Sequence, residues 1–489
     1  MPTPSPLFAR WQWAACAALA LLAPATAAPG DPRPNILWIL AEDMCPDLGC
    51  YGNALVKSPN IDALAARGVR FTNAFTVTSV CSTSRSALMT GCYPIAIGAH
   101  QHRTWTAQKK PLPDGVRLLT DRLRAAGYFT VNLTAPDSAA GDRYKAGAGI
   151  GTGKTDFNFV AARPYDGRDW RERAPGQPFF ATITLEESHK GWGWKAAGAL
   201  PASEKVDRAA IALAPFYPEH PHVREEIGAY FDAIHLMDKS VGAVLARLAA
   251  DGLADRTIVV FMGDNGEPLL RSKGYLYDGG VHVPLVVAWP DRRRAGAVDD
   301  RLVSGVDLPA AILGFAGIKP DGVFHGVDFL DPATPPRGHV FGSRDRIDYS
   351  VDRMRSVRTK RWKYIRNYLP FTPYMEPNEY KEANYPTWNV VKQLARENKL
   401  APAAALFAAP AKPIEELYDL ANDPHELRNQ ALDPAHRDTL RALRALVDGW
   451  VRDTRDAGAI MEDPVENFRG FFRRLPEDPP PAAARRPDR

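Results

Sequence analysis

Asn35-Ile36-Leu37-Trp38-Ile39-Leu40-Ala41 has no polar residue after Asn35 and ends directly in Glu42-Asp43. A strand with one face in water alternates apolar and polar residues, whereas an unbroken apolar run of this length fits a parallel strand buried on both faces. Two more runs read the same way. Phe179 to Leu185 passes into Glu186-Glu187-Ser188-His189, and Thr257 to Met262 passes into Gly263-Asp264-Asn265-Gly266. Tyr128 to Leu133 and Leu285 to Trp289 add further strands. Helical patterns lie between them. Ser58-Pro59-Asn60 precedes a face of Ile61, Leu64 and Ala65, and Gly115 to Ala126 is amphipathic and stopped by Gly127. Glu225 to Leu248 carries Ile227, Phe231, Ile234, Met237, Val241, Val244 and Leu248 along one stripe. Helices alternating with buried strands give an α/β layer, and in such layers sites form beyond the carboxyl ends of the strands.

The polar residues at those ends are therefore the first candidates. Glu42-Asp43 reads either as half of a hard-cation site or as two solvated charges. Asp264 and Asn265 bring two more oxygen donors to another strand end, and His189 stands just past a third. Between the first two strands lies Thr78-Ser79-Val80-Cys81-Ser82-Thr83-Ser84-Arg85-Ser86-Ala87-Leu88-Met89-Thr90-Gly91, which places a cysteine at the mouth of a helix. Unpaired N–H groups and the positive dipole end converge there, the setting in which anions bind and nucleophiles are activated. A small buried cysteine in a hydroxyl-rich turn is the plainer alternative. His100, His102 and Arg103 follow in a loop that reads as an anion pocket or as surface polarity. Gly147 to Thr155 imitates a phosphate-binding loop, but Ala148 replaces a required glycine and no strand precedes it. Nucleotide binding is not expected there, while Lys154 remains a reaching cation.

The chain has 489 residues, 45% hydrophobic and 24% charged, long enough for a large core and more than one domain. Its net charge of +4 gives no nucleic-acid footprint. Arg10, the apolar run Trp11 to Leu22 and Ala25-Thr26-Ala27 form a secretory signal over residues 1–27, shorter than a membrane span needs. The mature protein is expected to be exported, periplasmic or extracellular, with no span after signal removal. Cys45, Cys50, Cys81 and Cys92 would remain, too few for a disulfide framework, with Cys45–Cys50 the best-spaced bridge. Beyond the proline- and glycine-rich stretch 320–336, Arg355 to Arg366 alternates as a half-exposed basic strand does, able to approach a polyanion or to be merely solvated. Glu416 to Leu420 is a short strand, Ala435 to Trp450 an amphipathic helix, and the tail is Pro/Ala/Arg-rich.

Taken in order, these segments resemble the sulfatase family of the alkaline-phosphatase-like superfamily. The resemblance runs from Pro34-Asn35-Ile36-Leu37 through Leu48-Gly49-Cys50-Tyr51-Gly52, Cys81-x-x-Ser84-Arg85-x-x-Leu88-Met89-Thr90-Gly91, Gly153-Lys154, Ser188-His189, Asp264-Asn265-Gly266 and Lys273. It continues through Pro284-Leu285 and Trp289-Pro290 to Glu416-Leu417-Tyr418-Asp419-Leu420 and Asp423-Pro424, about residues 33 to 430. Glu42-Asp43 and Arg344-Asp345-Arg346 look most like bacterial members acting on sulfated polysaccharides.

The resemblance implies a large mixed, mostly parallel sheet flanked by helices (33–335) and a smaller C-terminal antiparallel-sheet subdomain (336–465), and composition predicts a disordered tail after them (466–489). It implies a sulfuric-ester hydrolase acting on a sulfated carbohydrate. Cys81 would be converted by a maturation enzyme to formylglycine, whose hydrated aldehyde attacks sulfur and then expels sulfate. Glu42, Asp43, Asp264 and Asn265 would hold calcium, with magnesium the second choice. Arg85 would hold the diol, Lys154 and Lys273 the sulfate charge, and His189 would contact the sulfate or protonate the leaving oxygen. His100, His102, Arg344 and Arg346 would meet the substrate. Two positions depart from the family pattern. Thr83 stands where proline or alanine is usual, and Asp156 where a histidine often follows the loop lysine, so that role passes to His100 or His102, or the substrate differs. Two other readings are a phosphoester or phosphonate hydrolase on the same scaffold and a catalytically impaired glycan-binding homologue.

Overall fold

The computed structural model describes residues 33–104, 109–134 and 147–460, so the signal segment and the tail beyond 466 lie outside the described residues. β1 (Asn35–Ala41) forms over the apolar run, and all seven of its residues are buried. Because side chains alternate across a strand, Ile36, Trp38 and Leu40 enter one apolar core and Leu37, Ile39 and Ala41 the other. Six more strands complete the large sheet: β2 (Val69–Phe75), β3 (Phe129–Asn132), β4 (Phe179–Leu185), β5 (Thr257–Gly263), β6 (His282–Ala288) and β7 (Ala297–Ser304). Their order is β3-β4-β1-β5-β6-β2-β7, parallel except where β6 runs against β5 and β2.

Helices α1 (Pro59–Arg67) and Pro221–Ala250 cover one face, and α2 (Cys81–Thr90), α3 (Leu119–Ala125) and Asp307–Phe315 cover the other. Helices on both faces leave the rim at the strand ends as the open ground for a site. A second sheet, ordered β11-β10-β9-β8, is antiparallel: β8 (Val340–Arg344), β9 (Met354–Arg358), β10 (Trp362–Asn367) and β11 (Glu415–Asp419). Helix Arg437–Asp453 packs Leu440, Leu443 and Val447 onto its Val357, Tyr364 and Leu417.

Several sequence expectations need correction. The basic stretch 355–366 is not one half-exposed strand but the β9–β10 hairpin, closed where the Thr359 N–H donates to the Trp362 carbonyl at 2.8 Å. Two of its charges are not free for a polyanion: Arg355 pairs with Asp345 at 2.9 Å, and Lys363 with Glu426 at 2.8 Å and with Asp278, both cations buried, whereas Lys360 and Arg361 at the turn are exposed and pair with Asp300 and Asp419. Cys45 and Cys50 are free thiols, so the expected bridge is absent. Buried Cys45 donates from Sγ to the Gly279 carbonyl at 3.1 Å. α3 starts at Leu119, not Gly115, whose φ of +80° lies outside the helical region. Ser58 does not cap α1 by its side chain; its Oγ accepts from the Gly49 N–H at 2.8 Å and donates to Asp62 at 3.0 Å. Among the described residues no helix is long and apolar enough to cross a membrane.

Candidate active site

Register builds the site. Ala41 sits opposite Leu185 on one side and Gly263 on the other, so the chains leaving β1, β4 and β5 run out side by side. Backbone bonds continue the ladder past the strand ends. The Glu42 N–H donates to the Leu185 carbonyl at 3.0 Å, the Asp264 N–H to Ala41 at 2.9 Å and the Met44 N–H to Asn265 at 2.8 Å. Glu42, Asp43, Asp264 and Asn265 are thereby gathered, each 0% exposed.

Three buried carboxylates must be compensated. Arg85, one turn into α2, places Nη2 3.2 Å from Glu42 Oε1 and 2.9 Å from Asp264 Oδ2, while Nη1 donates to Thr184 Oγ1 at 2.8 Å. Lys154 Nζ lies 3.0 Å from Glu42, Lys273 Nζ 2.6 Å from Asp43, and His189 Nε2 3.8 Å from Asp43. Burial acts to raise Glu42, but Lys154, Arg85 and His189 bring it down to about 2. Asp43 is likewise lowered, with Lys273 the main counterweight to burial. Asp264 goes the other way, to about 6, because burial and the charges of Glu42 and Asp43 outweigh Arg85.

The donor set fits a hard divalent cation. All four side chains offer oxygen, and among the described residues the buried Asn265 Oδ1 accepts no hydrogen bond. The Asn265 amide, by contrast, donates to Asp43 Oδ1 at 2.9 Å, which leaves Oδ1 as the free face. Glu186, not selected from the sequence, has a carboxylate oxygen within 4.8 Å of ligand atoms of both Glu42 and His189. Burial and the Glu42 charge raise it to about 7. Its signal was present in the sequence, since it shares with His189 the address just past β4.

Cys81 opens α2 behind Val80, as the sequence suggests, and all ten residues of the helix are buried. Cys81 Sγ lies 3.7 Å from His102 Nε2 on one flank and 3.6 Å from Asp156 Oδ2 on the other. Burial opposes ionisation of the thiol, yet Lys154 and the contact with His102 leave it below its ordinary value. Lys154 joins the two halves of the site, reaching Glu42 and lying 3.9 Å from Asp156. Asn158 fixes this loop against α2: its N–H donates to Ser86 Oγ at 3.0 Å, and its amide to the Ala99 and Gln101 carbonyls at 2.9 and 2.7 Å.

Of the residues expected at the substrate, His102 is at the cysteine and His100 is buried two positions earlier. Arg346 donates to the His102 carbonyl at 3.0 Å and so supports the loop. Arg344 is committed elsewhere, to Asp352 at 3.3 Å and over the Tyr275 ring at 4.5 Å. His189 is driven down to about 4 by burial and Lys273, and is therefore neutral at pH 7.

Comparison with known proteins gives the family and the fold. Residues 34–318 match the family described as Sulfatase, and residues 266–381 match the one described as N-sulphoglucosamine sulphohydrolase, C-terminal. An ulvan-active sulfatase of Formosa agariphila is 33% identical over 483 residues, covering 89% of this chain and 77% of its own. Human N-sulphoglucosamine sulphohydrolase is 27% identical over 506 residues, covering 92% and 96%. Among solved structures, a 2-O GAG sulfatase superposes with a TM-score of 0.62 at 20% identity, covering 89% of this chain and 96% of that one, which is a likeness of fold.

Proposed function

From the premise that this chain belongs to the sulfatase family, we propose that it hydrolyses sulfate esters of a sulfated sugar or polysaccharide at the rim where β1, β4 and β5 end. The observation that carries the reading is the juxtaposition of Cys81, at the mouth of α2, with the buried oxygen set through Lys154, which spans Glu42 and Asp156. Glu42, Asp43, Asp264 and Asn265 hold the cation, calcium in this reading. Cation and matured Cys81 together supply positive charge against the ester oxygens and a nucleophilic oxygen in place of sulfur.

The chain's own residues do the rest. Lys154 and Lys273 present Nζ groups whose protons are held firmly by the surrounding anions, so both are charged when a sulfate enters. Arg85 fixes Glu42 and Asp264 and, through them, the geometry of the rim. His189, neutral near pH 7, serves as a hydrogen-bonding group and not as a stored acid. Burial of the Cys81 flank excludes bulk water from the reacting atoms. The ulvan and glucosamine substrates named for the relatives support a sulfated glycan as the class. The leader read in residues 1–27 supports export, and a formylglycine-generating enzyme is the required partner.

The reading is tested by expressing the protein in a host with maturation activity. The tryptic peptide containing position 81 is expected to carry the aldehyde mass, and the protein to turn over an aryl sulfate faster than an aryl phosphate. An unmodified thiol sinks the formylglycine assignment. Preference for phosphate points to a phosphoester or phosphonate hydrolase, and glycan binding without turnover by fully modified protein to an impaired homologue.

A further inference from the structure

Two loops, one from each sheet, meet at His102. The His102 N–H donates to the Arg346 carbonyl at 3.0 Å, and the Arg346 N–H donates to Gln101 Oε1 at 2.9 Å. Arg346 Nη1 then bridges the His102 carbonyl at 3.0 Å and the Asp348 carbonyl at 2.5 Å. Asp348 occupies a tight turn closed by reciprocal backbone bonds between Ile347 and Ser350, at 3.0 and 2.9 Å. Its φ is +52°, the left-handed region that a non-glycine residue enters at a cost, and such strain persists where the surroundings enforce it. The turn aims the carboxylate back at the larger sheet. Asp348 Oδ1 lies 3.3 Å from His102 Nδ1, an ion-pair distance whose angle falls short of a hydrogen bond, and Nε2 of the same ring faces Cys81 Sγ at 3.7 Å. His102 is 3% exposed and Asp348 8%.

We propose that Asp348 is a positioning residue of the sulfatase reaction: presented by the turn after β8, it takes the Nδ1 side of His102 and so turns Nε2 toward position 81, where that atom exchanges a proton with the reacting oxygen. The inference rests on the sulfatase reading given above. The other charged groups around the pair fit it. Arg103 Nη1 stands 3.9 Å from Asp348 Oδ1, the Asn378 amide donates to Oδ2 at 3.4 Å, and Asp156 and Lys154 face the far side of Cys81. Burial would strip His102 of its proton, yet Asp348 and Cys81 hold its ring above the ordinary histidine value, while His102 and Arg103 hold Asp348 below the usual carboxylate range. A histidine whose second ring nitrogen is fixed by a carboxylate is set in tautomer and orientation.

The test is a double-mutant cycle on the mature enzyme. Asp348→Asn is expected to lower kcat roughly 10- to 100-fold with little change in KM, the range seen when a supporting partner of an active group is lost, and Asp348→Glu to recover part of it. In a His102→Gln background, Asp348→Asn should cost almost nothing more; losses that multiply overturn the proposal. If the wild type prefers an aryl phosphate, the sulfatase reading falls while the cycle, run on that ester, still decides the dyad. Independently of turnover, NMR of 15N-labelled histidine should show a changed tautomer or ring shift at His102 on Asp348→Asn, and an unchanged ring overturns the assignment. Should that variant not fold, Asn378→Ser, which removes the amide on Oδ2, is expected to move the same signals less, and no movement counts against the proposal.

Discussion

Asp264 shows how the cation reading can be tested at a single residue. It is raised to about 6 and Glu186 to about 7, against ordinary carboxylates near 4. A raised carboxyl favours the native state below its unfolded value, and that contribution is lost as pH climbs through the folded value. Glu42, lowered to about 2, acts in the opposite sense, but only on the acid side of pH 5. Between pH 5.5 and 8, then, a cation competes with the protons on Asp264 and Glu186. A group at about 6 is roughly three-quarters protonated at pH 5.5, so calcium should bind about fourfold more weakly there than at pH 8 from Asp264 alone. Calorimetric titration at the two pH values checks this; equal affinities would remove Asp264 from the cation site. Asp264→Asn should remove that fourfold share and leave only the part due to Glu186.

At the scale of the element, β9 is held by a buried charge as well as by its apolar Met354 and Val357. Arg355 is 0% exposed and reaches Asp345 at 2.9 Å and Asp456, beyond the last long helix, at 2.7 Å. Arg355→Ala takes the cation from buried Asp345 and leaves Asp456 with Arg353 at 2.8 Å, and is expected to cost about 3–5 kcal/mol in urea unfolding; a loss below about 1 kcal/mol would show that the clamp contributes little. The same residue explains why this region was misread. Sequence periodicity takes alternating charges for a solvent face, and the partners that bury Arg355 and Lys363 come from Asp456, Asp278 and Glu426, far along the chain. β1, β4 and β5 were legible for the converse reason: burial on both faces leaves an unbroken apolar run that needs no partner to be recognised. The candidate site divides similarly. Cys81, Arg85 and the strand-end oxygens announce themselves locally, whereas Asp348 acts through a turn whose neighbours reveal nothing of His102.

Across the whole molecule, the large sheet supplies the oxygen set and the cysteine, and the small sheet supplies the turn that backs His102. The site is complete only when both sheets are formed. α2 is the feature with the widest reach. Every one of its residues is buried, with Cys81 at 0% exposure beneath the loops of His102 and Asp156. An enzyme that rebuilds the Cys81 side chain has no access to it in the finished protein. The maturation proposed for position 81 would therefore have a deadline. A maturing enzyme is expected to convert a peptide spanning 78–91 and to leave the folded thiol protein untouched, as peptide mass analysis would show; conversion of the folded form would refute the deadline. If Cys81 is matured as proposed, folding closes the window in which that reactive group can be made.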